Sequence, residues 1–110
     1  MVRLSVRRAD PVIAEAALRK LAELRGASGR VARNVVVAGR LCDLFLHPLG
    51  VGVRLRDGLE VLAPEGGFEL AEEYQQLYVA LLIAEAARAA GFREVEGYAR
   101  GGVVELVMVR

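Results

Sequence analysis

Positions 2–7 alternate, with Val2, Leu4 and Val6 apolar and Arg3, Ser5 and Arg7 polar. That is the period of a strand with one buried face. Asp10-Pro11 then sets a capping carboxylate before a proline at the first helical position. Beyond it the period changes. Ile13, Ala17, Leu21 and Leu24 recur at helical spacing, which predicts an inner stripe on a helix running to about Arg25, with Gly26 as its stop. Glu15 and Arg19 fall on the outer side as an i,i+4 pair.

Gly26-Ala27-Ser28-Gly29-Arg30 reads as a loop, and Val31 to Ala38 as a strand rich in β-branched residues. A turn near Gly39-Arg40 leads into a strand over Leu41 to His47, which His47-Pro48-Leu49-Gly50 interrupts. The best-specified hairpin covers Val53 to Val61. A three-residue loop, Arg56-Asp57-Gly58 with Gly58 left-handed, opposes Leu55 to Leu59 and Val53 to Val61, and sets Arg54 against Glu60. A two-residue loop would instead oppose Leu55 to Glu60, so pairing chemistry selects the longer one.

After Pro64-Glu65-Gly66-Gly67 a long helix runs from near Glu69 to Ala90, with Gly91 as its stop. Phe92 to Ala99 and Val103 to Val109 form a closing hairpin around Arg100-Gly101-Gly102. Strand, helix, several strands, helix and hairpin predict one α+β domain over residues 1–110, an antiparallel sheet with two helices packed on one face.

The long helix carries more hydrocarbon than one buried face needs. Leu70, Tyr74, Leu77, Leu81 and Ala84 form the expected core stripe. The opposite side begins polar, at Glu72 and Gln76, and continues as Val79, Ile83, Ala86 and Ala90. A helix apolar on both sides is buried on both sides. The second cover is another copy of the chain or a layer of its own strands and loops. A membrane-surface helix fits less well, because the polar side lacks basic residues. Burying Val79 and Ile83 would contribute roughly 1.5–3 kcal/mol each per subunit. Val79, Ile83, Ala86 and Ala90 are therefore the candidate oligomer interface.

Composition narrows the chemistry. The chain has one histidine (His47), one cysteine (Cys42), two serines (Ser5, Ser28) and neither threonine nor tryptophan. Positioned nucleophiles, acid/base pairs and metal clusters have little raw material here, so the residues nominate no catalytic group, no metal ligand and no cofactor. Cys42, Asp43 and His47 have ligand chemistry. On a strand, however, Asp43 and His47 share a face roughly 13 Å apart while Cys42 points to the other. Glu69, Glu72 and Glu73 read as a first turn favoured by the helix dipole, and Tyr74, Tyr78 and Tyr98 as aromatics at the edge of the core.

A lone cysteine makes no internal disulfide, and the start MVRLSVRRADP has no signal-peptide core. No apolar run reaches the roughly 18 residues of a membrane span. A cytoplasmic protein with no membrane partner is the expectation. Fourteen arginines against the single Lys20 suggest a GC-rich genome and a thermophilic source.

The net charge of +1 hides an asymmetry. Residues 1–40 carry nine basic and three acidic side chains, a local +6, and residues 41–110 a local −5. Either the halves interleave and their charges pair, or the basic third is a binding face. For the second case the candidate anion site is Ser28, Arg30 and Arg33, on a loop whose backbone N–H groups could cradle phosphate. That loop follows a helix, so it is not a P-loop, and no aromatic lies near it in sequence to stack a base.

The C-terminal third has a recognisable form. Tyr78, then Ala84-Glu85-Ala86-Ala87-Arg88-Ala89-Ala90-Gly91-Phe92-Arg93-Glu94-Val95-Glu96, are followed by Gly102-Val103-Val104-Glu105-Leu106-Val107-Met108-Val109-Arg110. This resembles an uncharacterised family of short proteins typified by a conserved cyanobacterial and plastid reading-frame product. The resemblance implies a ferredoxin-like α+β fold and carries over no catalytic residue. The aromatic-rich middle of that family is missing here.

Together these readings give a ferredoxin-like α+β domain that is a non-enzymatic interaction or regulatory module and self-associates through residues 77–90. The alternative is nucleic-acid or phosphate-ligand binding through the basic N-terminal third.

Overall fold

The structure, a computed structural model, describes residues 2–6, 10–56, 58–92, 94–100 and 103–109, with side chains within 10–56 and 58–92. Its elements are β1 (Val2–Val6), α1 (Pro11–Leu24), β2 (Arg30–Val37), β3 (Arg40–His47), β4 (Val51–Leu55), β5 (Leu59–Ala63), α2 (Phe68–Ala89), β6 (Glu94–Arg100) and β7 (Val103–Val109). Strands β2 to β5 form a meander. β1 pairs with the outer side of β5, giving one antiparallel sheet in the order β1-β5-β4-β3-β2. β6 and β7 form a separate antiparallel ladder whose backbone lies against α2. The fold is α+β, two helices on an antiparallel sheet, a layering compatible with the ferredoxin-like expectation.

The punctuation of the chain acts where the residues place it. Asp10 caps α1, its Oδ1 accepting from the N–H groups of Val12 (3.0 Å) and Ile13 (3.2 Å), with Pro11 at the first helical position. Gly26 and Gly91 follow the two helices with φ of 64° and 101°, the left-handed region that glycine enters without a Cβ clash. The β4–β5 register is Leu55↔Leu59, Arg54↔Glu60 and Val53↔Val61, as the pairing argument requires. Asp57, and with it the left-handed conformation expected for Gly58, lies outside the described residues. So do the side chains of 94–110 that carry part of the family resemblance.

One core joins both helices to one face of the sheet. Leu44, Leu46, Val51, Val53, Leu59, Val61 and Ala63 meet Ile13, Ala14, Ala17, Leu18 and Leu21 of α1 and Ala71, Tyr74, Leu77 and Tyr78 of α2. The inward face of α1 is broader than the expected stripe, adding Ala14, Leu18 and Ala22. Leu24 is a correction. It lies at the margin of that face in the last turn and stays 51% exposed.

β3 holds one irregularity that the alternation does not reveal. Its ladder with β2 passes from Arg33↔Leu44 to Val35↔Cys42, skipping Asn34 and Asp43, and Asn34 has φ of 55°. Asparagine tolerates that left-handed conformation better than most residues. Beyond the irregularity Cys42 lies beside Gly52 and Phe45, away from the helices. A Cβ at Gly52 would come within 2.7 Å of the Cys42 Sγ and 3.6 Å of the Phe45 ring.

Removal of the α1 cap is the direct test of this local reading. Asp10→Ala should lower unfolding free energy by about 1 kcal/mol, read from the midpoint of urea denaturation with an unchanged slope.

Candidate functional site

The few reactive groups among the described residues serve the fold. Tyr74 is fully buried and its hydroxyl donates to the Ala14 carbonyl of α1 at 2.9 Å. The Tyr78 hydroxyl accepts from the Asp10 N–H at 2.9 Å. Burial, with the neighbouring Tyr78, holds the Tyr74 phenol far above its ordinary pKa. These two tyrosines fasten α2 to the start of α1. The side chain of Tyr98 lies outside the described residues.

Cys42, Asp43 and His47 do not converge. The Asp43 Oδ2 accepts from the Leu55 N–H at 2.7 Å, bonding β4 just beyond the last regular β3–β4 pair, Leu44↔Val53. The expected arrangement, with Cys42 on the face opposite His47, is corrected by the irregular Asn34–Asp43 position described above. Cys42 is buried, and desolvation raises its thiol pKa although the Arg54 guanidinium pulls the other way. The His47 ring packs edge-on against Phe45, with centroids 4.5 Å apart and planes at 69°. Among the described residues no group of three His, Cys, Asp or Glu side chains could hold a metal ion.

Of the three acids at the start of α2, only Glu69 lies in the first turn. Glu73 binds Arg25, which follows α1, with Nε at 3.0 Å from Oε2. The basic loop is likewise drawn into pairs. Arg33 ion-pairs with Glu15 on α1, which also takes Arg19 at 3.5 Å. Ser28 is exposed, and Arg30 is exposed at the first position of β2. Arg30 and Arg33 are three residues apart on one strand and therefore point to opposite faces. The structure does not gather Ser28, Arg30 and Arg33 around one point. Part of the charge asymmetry is resolved by pairing between the two halves, through Arg25–Glu73 and Arg40–Glu60 at 3.5 Å.

The long helix divides its apolar residues by depth. Ala71, Tyr74, Leu77 and Tyr78 face α1 and the sheet. Further along, the buried side turns to Ala80, Ala84 and Ala87, the last two packing with Phe92 where the backbone of β6 and β7 approaches. Some of the second cover is therefore the chain itself. Val79 is partly buried against the main core. Ile83 remains 42% exposed, and Ala86 and Ala90 are exposed. These four residues, at i, i+4, i+7 and i+11, form one continuous stripe. Among the described residues no helix is long and apolar enough to cross a membrane.

A second cluster escapes the linear reading. On the sheet face without helices, Glu60 accepts from Arg54 at 3.2 Å and pairs with Arg40 at 3.5 Å. Phe45 and His47 sit on the same face. The Arg54–Glu60 half was legible from the hairpin register. The arrival of Arg40 was not, because it depends on how β3 bends across β4.

No protein-family model, curated protein or solved structure matches the chain.

Two tests follow from the buried groups. Native Cys42 should resist maleimide alkylation at neutral pH and react fully once denatured, because a buried, protonated thiol is neither accessible nor nucleophilic. For Tyr74, a folded-state pKa raised above that of the unfolded chain means a contribution fully present below the ordinary phenol value. It is lost as pH rises from about 10, where the unfolded chain ionises first. Urea midpoints should therefore fall above that pH, and Tyr74→Phe should lower stability near neutrality by about 1 kcal/mol while flattening the alkaline decline.

Proposed function

We propose that this chain is a non-enzymatic interaction module that associates with a second copy of itself through the outer stripe of α2. The observation that carries this reading is the exposed Ile83, continued by Ala86 and Ala90 and bordered by the half-covered Val79. Small alanines beside one branched side chain let another helix approach closely, so the contact is made by close packing and burial of Ile83.

The interface is a modest one. More than half of Ile83 is already covered by its own chain, so completing its burial contributes about 1 kcal/mol per copy, less than a fully solvated stripe would give. Association that depends on concentration is the consequence, and that suits a regulatory or assembly subunit better than a permanent dimer. The reading also accounts for the use of the hydroxyls of Tyr74 and Tyr78 and the thiol of Cys42. All three are held inside the fold, where they serve packing.

Multi-angle light scattering across a concentration series decides the matter. The wild-type chain should move from monomer toward dimer as concentration rises, and Ile83→Glu should remain monomeric while circular dichroism shows that it is folded. A wild type that stays monomeric at the highest concentration, or an Ile83→Glu chain that dimerises equally well, removes the proposal.

A further inference from the structure

The face of the sheet turned away from the helices carries an unassigned combination of groups. α1 and α2 pack on the face presenting Leu44, Leu46, Val53 and Val61. By alternation the other face carries Ala32, Phe45, Gly52 and Leu62, which form one row across β2, β3, β4 and β5; Gly52 and Leu62 are buried, and Ala32 and Phe45 are the partly exposed members. Phe45 is thus flanked on both sides by the two smallest kinds of residue. Its ring leans over Gly52, where a Cβ would sit 3.6 Å from the ring carbon, and remains partly exposed. His47 extends the aromatic surface, edge-on to Phe45.

Cations surround this surface. Arg30 lies directly opposite His47 in the β2–β3 ladder and is exposed. Arg40 and Arg54 lie toward the other end of the face, sharing Glu60. Among the described residues of this face Arg40 and Arg54 share the Glu60 carboxylate while Arg30 stands at the opposite end, and the nearby Asp43 carboxylate is engaged by the Leu55 N–H. The Arg54 Nε is moreover buried with no hydrogen-bond partner among the described residues, so the Glu60 pair does not use all the donors of this guanidinium. By strand spacing and rise, Arg30 and Arg54 are roughly 16 Å apart on either side of Phe45.

We infer that this helix-free face binds single-stranded nucleic acid, with a base stacked on Phe45 and phosphates held by Arg30, Arg40 and Arg54. A planar π-surface between cations suits a ligand that alternates flat bases with anionic phosphates. An acidic peptide would use the arginines and leave the flat ring without a role. The site is distinct from the basic loop nominated by sequence, sharing only Arg30 with it. It is also distinct from the α2 stripe.

The test is fluorescence anisotropy of a labelled single-stranded oligonucleotide of about ten nucleotides, titrated with the full chain at about 50 and 200 mM salt. Binding should be present at the lower salt and weaken steeply at the higher. Phe45→Leu should weaken it about tenfold through loss of stacking, with retained folding checked by circular dichroism. Arg30→Gln, at an exposed position that the fold does not need, should weaken it several-fold and lower the salt slope by about one. Ser28→Ala and Arg33→Gln should bind as wild type. Three results each overturn the inference: no binding at the lower salt; binding that Ser28→Ala or Arg33→Gln weakens while Phe45→Leu does not; or polyglutamate competing as well as the oligonucleotide.

Discussion

The seam between α1 and α2 is the constraint on which the rest of the molecule depends. Two large side chains, Tyr74 and Tyr78, are fully buried there, and each must find a partner for its hydroxyl in a place water does not reach. Tyr74 uses the Ala14 carbonyl, and Tyr78 receives the Asp10 N–H at the cap of α1. Small residues on α1, Ala14 and Ala17, leave room for the rings. The same residue that starts α1, Asp10, is thereby bound to the middle of α2. Cap, helix packing and core closure are one cooperative arrangement. A change in any of them reaches the sheet, because Leu18 and Leu21 of α1 lie over its inner face.

That arrangement leaves two surfaces on opposite sides of the layered fold. The outer stripe of α2 is apolar and small, and the helix-free sheet face is aromatic and cationic. Their chemistries do not compete, so the proposed association through α2 would leave the sheet open. Two joined copies would then present two such faces to one long strand, raising the effective concentration of the second contact. Between the surfaces, the ion pairs of Arg25 with Glu73 and of Arg33 with Glu15 occupy exposed positions, where such pairs contribute little to stability. The second of them neutralises Arg33, which the linear sequence offered for anion binding.

The value of the irregular position at Asn34 and Asp43 lies in what it does to the sheet. Without it, regular alternation would turn Cys42 to the helix side with Leu44 and Leu46. With it, Cys42 fills the space that Gly52 leaves open, and Asp43 supplies a side-chain acceptor to β4. One left-handed residue thus converts a ligand-like sequence, Cys-Asp-x-x-x-His, into a structural one. Cysteine and histidine, though on one face, do not form a site, because Cys42 is buried beside Gly52 and His47 packs on Phe45.

The residues by themselves determined the elements, their ends and much of their pairing. Alternation, helical spacing, the Asp10-Pro11 cap, the glycine stops and the matching of Arg54 with Glu60 are local, and local sterics and pairing act within a few residues of the chain. The surplus hydrocarbon on the long helix was also legible, from Val79, Ile83, Ala86 and Ala90. How much of it the chain covers was not. Only the tertiary structure decided that the buried side of α2 turns along its length, from α1 and the sheet to Phe92 and the final hairpin. It alone decided that Leu24 lies outside the core, that Arg33 belongs to Glu15, and that Arg30, Arg40, Arg54 and Phe45 share one face. Each of these depends on which distant segments meet. Burial and charge pairing are properties of such meetings, and no periodicity within a single segment encodes them.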